Sequence, residues 1–138
     1  MNNRSISQRD LIPSDTVLTK SSGATPSVTG PAIKMGSVVS PLGLFLVNEG
    51  DSTSLSVTYQ VGYIDKASLG HEVSDPDVSW LTPADGGAVT DMTTVDINSS
   101  AKHASLAGLS CCKFYRFIVT NADTVNGATV SLYGHFQW

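Results

Sequence analysis

Between Ser54 and Tyr63 the chain alternates without a break: Leu55, Val57, Tyr59, Val61 and Tyr63 fall on one side, and Ser54, Ser56, Thr58, Gln60 and Gly62 on the other. A period of two is the mark of a strand with one face in a core and the other toward water. It excludes a helix here, because a helix would scatter the same residues around its whole circumference. No segment sustains a 3.6-residue period, although Ala101 to Leu109 would accommodate a helical turn or two. The chain is therefore expected to be all-β.

Other strands follow from the same pattern. Leu44-Phe45-Leu46-Val47 is a short apolar run that fits a strand buried on both faces, and Asn48-Glu49-Gly50-Asp51 reads as the turn after it. Lys113 to Asn121 is aromatic and β-branched, with Tyr115, Phe117 and Val119 on one face. Ala122 to Gly127 forms a loop ending in Asn126-Gly127, a strong hairpin dipeptide, and Thr129 to Trp138 alternates again with Val130, Leu132 and Phe136 inward. Between Asp65 and Ala101, Pro76, Pro83 and Gly86-Gly87 cut the chain into short pieces, with Val78 to Leu81 and Val89 to Ile97 as candidate strands. Together these predict an antiparallel β-sandwich or jelly roll of about six to eight strands.

Residues 1–36 read differently. They hold Pro13, Pro26 and Pro31, many hydroxyl side chains and no sustained period. They are expected to form an extended N-terminal arm preceding a sandwich domain over 37–138. Extended, such an arm spans at most roughly 120 Å, enough to cross a neighbouring subunit. Leu11, Ile12, Val17 and Leu18 are its candidate anchors on a partner, and Arg4 and Arg9 its candidate ion-pair partners. A strand wrapped onto its own body, or a loose terminus, is the competing expectation.

Composition narrows the function. Charged residues are 14% of the chain, against about 25% in an average soluble protein. Their place is taken by 32 serines and threonines, which give a polar surface with few ions to desolvate on contact. The arm carries a net +2 and the remainder −6, so no basic footprint for nucleic acid is present. Nothing near the start reads as a signal peptide, and no apolar run reaches the length of a membrane span. Cys111 and Cys112 are adjacent on what reads as the approach to a strand, where neighbours point to opposite faces, so they are expected to stay reduced thiols.

Catalytic patterns are missing. His71, His103 and His135 are far apart, two expected in loops and one on a polar strand face, and none falls in a ligand motif. Asp65, Glu72, Asp75 and Asp77 gather four acids in one loop-rich stretch, but lack the spacing of a calcium loop and are expected to be solvated. Trp80 is read first as a core or edge anchor and, more sharply, as a sugar-stacking platform. The expectation is a protein without a catalytic site, metal or cofactor.

The body, with LSVTYQVGYID, a tryptophan leading to GGAVTDMTTVDI, then KFYRFIVTNAD and a closing ATVSLYGHFQW, resembles small structural proteins of tailed-bacteriophage virions. The likeness is to capsid decoration, or cement, proteins of β-sandwich form. It is one of overall style from about Leu44 to Trp138 and rests on no diagnostic motif. It implies a non-enzymatic virion protein made in the bacterial cytoplasm and bound to the outer capsid surface. Its partners would be the major capsid protein and further copies of itself, in a homo-oligomer such as a trimer, and the arm would reach onto a neighbouring subunit. The arm would equally suit a tail or neck accessory. The main rival is a carbohydrate-binding or host-recognition module using Trp80, with Tyr59, Tyr63, Tyr133 or Trp138 as further platforms.

Overall fold

The computed structural model describes residues 6–34, 40–64, 78–89, 91, 92, 95, 100–105 and 114–137. Among the described residues, ten strands form two antiparallel sheets. The first contains β1 (Ile6–Asp10), β2 (Thr16–Leu18), β5 (Ser40–Asn48), β8 (Ser100–Ser105) and β10 (Ala128–Gln137). The second contains β3 (Ser27–Thr29), β4 (Ile33–Lys34), β6 (Leu55–Tyr63), β7 (Ser79–Leu81) and β9 (Phe114–Asn121). No helix among the described residues is long and apolar enough to cross a membrane.

The pairing defines the topology. β1 and β2 lie end to end along one edge of β10, while β5 lies on its other side and β8 beyond β5. β3 and β4 lie end to end along β9 in the same manner, followed by β6 and β7. Beyond β7, the edge of β6 is met by Gly87 to Val89, Met92 and Val95, with bridges of Thr58 to Ala88 and Leu55 to Val95. With β1–β2 and β3–β4 each counted as one strand, the eight strands fall in the sheets in the order first, second, first, second, second, first, second, first. With antiparallel neighbours throughout, that order is a jelly roll.

The core follows from the alternation. Leu55 and Val57 of β6, Tyr115, Phe117 and Val119 of β9, Leu44 and Leu46 of β5, and Val130, Leu132 and Phe136 of β10 meet between the sheets. Phe45 departs from the expectation of a strand buried on both faces: it is half-buried, on the outer side of β5. Of the stretch Ala101 to Leu109 that would accommodate a helical turn, residues 101–105 belong to the strand β8, and 106–109 lie outside the described residues. Asn126-Gly127 does not act as a two-residue turn, since neither residue has positive φ. Of the expected strand over Val89 to Ile97, the described residues Val89, Met92 and Val95 hydrogen-bond to Val57 and Leu55 of β6, with a bridge at Val95 and no continuous ladder.

The largest difference concerns the expected arm. Residues 6–34 supply the edge strands of both sheets on one side of the sandwich. Leu11 and Ile12 are 0% and 1% exposed and Leu18 is buried, all within the core, so they anchor the segment to its own body. The Leu11 amide donates to Leu132 O at 2.8 Å, and the Gly30 amide donates to Phe117 O at 2.9 Å. At Gly30 the crossing is so tight that a Cβ would fall on the Leu11 carbonyl. The segment lacked a visible period because it is broken into strands of two to five residues, each too short to show one.

Candidate functional site

The outer face of the first sheet is the site best defined by side chains. The register sets Tyr133 of β10, Phe45 of β5 and His103 of β8 in one row across three strands. His135, two residues beyond Tyr133, stands on the same face. The Phe45 ring lies between the imidazoles, with centroids 5.0 Å from His103 and 4.6 Å from His135. His135 Nε2 is 2.9 Å from Gln8 Oε1 on β1, which fixes the ring at the edge of the band. Val47 lies one row away, and Val17 of β2, opposite Thr129, is 70% exposed on the same side.

Charge is sparse on this face. Histidine and the tyrosine phenol apart, the acids and bases on this face among the described residues are Asp10, pointing outward from β1, and Asp15 of the β1–β2 connection, whose carboxylate accepts from Ser131 Oγ of β10 at 3.4 Å. A flat aromatic surface with little charge sheds water at low cost, the condition found at the centres of protein interfaces.

The outer face of the second sheet carries a smaller cluster. Trp80 of β7 is half-buried and lies across Gly62, where a Cβ would stand 3.0 Å from Trp80 Cζ3 and clash with Val78. The Arg116 guanidinium sits 4.5 Å from the Trp80 ring centroid. Arg116 Nε donates to Gln60 Oε1 at 2.7 Å, and Gln60 Nε2 donates to Thr82 Oγ1 at 3.1 Å. The indole is thus an edge anchor with an arginine already stacked on it, an arrangement stabilised by cation–π attraction.

Among the described acids, Asp123 is held furthest from its ordinary titration, buried at one end of the sandwich. Its carboxylate accepts from the Thr53 amide at 2.9 Å, the Asn126 amide at 2.9 Å and the Val125 amide at 2.8 Å. Thr53 Oγ1 and Asn126 Nδ2 add longer contacts. These donors, the Thr53 amide first, hold the carboxyl well below the usual carboxylate range against the opposing effect of burial. Neighbouring Asn121 accepts from Ser52 Oγ at 2.7 Å and donates to the carbonyls of Thr19 and Asn126. This is a structural cap joining three loops, with its acid's lone pairs committed to the chain itself.

The expected site residues divide. Leu11, Ile12 and Leu18 are core residues, while Val17 is exposed. Arg9 on β1 is half-buried, with its guanidinium 6.0 Å from the Phe136 ring centroid. His103, expected in a loop, is on a strand. Tyr59 is half-buried and packs inward against the core, and Tyr63 is exposed at the end of β6. Arg4, Asp65, His71, Glu72, Asp75, Asp77, Cys111, Cys112 and Trp138 lie outside the described residues. Among the described residues no three potential metal ligands gather. Sequence reasoning missed the band because only the register across β10, β5 and β8 brings Phe45 and His103 together; the Tyr133–His135 spacing was the one local sign. No known protein family matches this chain, nor does any characterised protein match it in sequence.

Proposed function

We propose that this protein is a non-enzymatic structural component of a virion, a capsid decoration protein that docks on the outer capsid surface through the outer face of its first sheet. The observation that carries the reading is the row Tyr133, Phe45 and His103 with His135 beside it, an aromatic strip on a nearly uncharged sheet face. Such a face suits a broad, flat protein partner, since aromatic side chains bury much area and few ions lose their hydration. Bound copies would clamp adjoining capsomers, and many weak sites on a symmetric shell would act together. With Leu11, Ile12 and Leu18 committed to the core, docking falls to this face and to exposed Val17 in place of a reaching arm. A tail or neck position would use the same face.

The test is mass spectrometry of purified particles from the replicon that encodes the chain, with wild type compared with a Phe45→Ala, Tyr133→Ala double variant. The expected result is wild-type protein in a fixed ratio to the capsid subunit, and at least tenfold less of the variant. Particles lacking the chain, or carrying the variant at the wild-type level, would overturn the proposal. The carbohydrate-binding reading draws less support, because Arg116 already occupies a face of Trp80.

A further inference from the structure

A jelly roll has four sheet edges, and in this chain three of them are interrupted. The β1–β2 edge is broken at Pro13 and at Asp15, whose φ of 52° is left-handed. The β3–β4 edge is broken at Gly30-Pro31. The β7 edge is broken by Pro83 and by Gly86 and Gly87, with φ of 83° and 70°. Interruptions of this kind keep an edge from recruiting another strand. The fourth edge, β8, is six continuous residues without proline or glycine, paired residue for residue with β5 and without a register shift. Ser100 to Ala104 pair only on the β5 side among the described residues.

We propose that β8 is a self-pairing edge, through which two copies of this chain join their first sheets into one continuous antiparallel sheet about a two-fold axis at His103. The register follows from geometry and charge. Residues opposite each other in a sheet share a face, so a two-fold axis normal to the sheet passes through a residue and not between two. An axis at Lys102, the one charged residue of β8, would set ammonium against ammonium. An axis at His103 instead sets Lys102 opposite the partner's Ala104 and His103 opposite the partner's His103. The outward row Ala101, His103, Ser105 is exposed and small apart from the imidazole. Joining the sheets also runs the Tyr133–Phe45–His103 row on into its own symmetry mate, doubling the width of the aromatic face. This self-complementarity favours a second copy over an unrelated extended peptide.

The inference deepens the assembly reading and rests on it only for its purpose; the pairing itself needs no capsid. Three opposed residues per copy, Lys102 to Ala104, make a small interface, so the dimer should be weak in dilute solution and reinforced where copies are held side by side. Sedimentation velocity over a wide concentration range would compare the full-length wild type with His103→Lys, which places two ammonium groups face to face at the axis on an already exposed position. The expected result is a monomer–dimer equilibrium for the wild type, weakened at least tenfold in the variant, with the melting temperature unchanged. Oxidation of a His103→Cys variant should give a 103-to-103 disulfide by peptide mapping, and Ala101→Cys should give no 101-to-101 link, because opposed Cβ atoms are within bridging distance only at the axis. A wild type that stays monomeric, a trimer, equal association by the His103→Lys variant, or dimers without the 103-to-103 link would each overturn the proposal. Attachment to particles is measured separately, so either idea can fail alone.

Discussion

At the scale of single residues, the end cap shows how a chain with few charges uses one of them. Asp123 gathers amides from two loops, and Asn121, Asn48 and Ser52 close the hydrogen bonds around it. No buried side-chain nitrogen or oxygen among the described residues lacks a partner, which is the condition under which a buried polar network stabilises a fold. The Asp123 carboxyl titrates lower in the folded protein than in the unfolded chain. Its contribution is therefore complete above the unfolded value, about 3.9, and is lost as pH falls through the folded value. Asp123→Asn should lower the melting temperature at pH 7. The gap from wild type should narrow as pH is taken below 4, since only the wild type loses this contribution there. Thermal melts over a pH series check this; a gap that stays constant to pH 3 would mean that the charge of Asp123 is not what the cap uses.

At the scale of elements, the clean strands were legible and the edges were not. β6, β9 and β10 are eight to ten residues long and keep one face in the core, so their alternation is visible in the sequence. β1 to β4 have two to five residues each, separated by Pro13, Pro26 and Gly30-Pro31, and their strand state comes from β10 and β9 beside them. β8, SAKHAS, lacks β-branched residues and owes its conformation to β5. For the same reason the aromatic band could not be read from the sequence: it depends on a register, and register is set by pairing between distant segments. An arm that is structural predicts a result opposite to that of an arm that reaches outward. Leu11→Ala should cost about 2–5 kcal/mol in urea denaturation, the usual range for truncating a fully buried leucine. Deleting residues 1–34 should leave a chain without a cooperative melt, because β9 and β10 would each lose a partner along one edge and the core would lose Leu11, Ile12, Leu18 and Ile33. A truncated chain that melts as sharply as the intact one would restore the detachable arm.

At the scale of the molecule, the two ends of the described chain lie side by side. Ile6 pairs with Gln137 and Asp10 with Tyr133, so the first strand cannot find its place until the last is present. β10 is the strand on which the first sheet depends: β1 and β2 line one of its edges and β5 the other. β9 holds the same place in the second sheet, between β3–β4 and β6. Both central strands thus come from the last quarter of the sequence and organise partners made far earlier. Pairings of such long sequence separation are slow to form, because loop closure must precede any gain from the contact. Refolding from denaturant should fall in the millisecond-to-second range typical of non-local β proteins, not the microsecond range of helical bundles. A chain ending at Gly127 should be unfolded and rapidly proteolysed, since it keeps every strand except β10 and loses Val130, Leu132 and Phe136 from the core. Stopped-flow tryptophan fluorescence and limited proteolysis measure the two outcomes. A folded 1–127 fragment would show that the second sheet is a self-sufficient unit, and the dependence of the whole sandwich on its last strand would then be wrong.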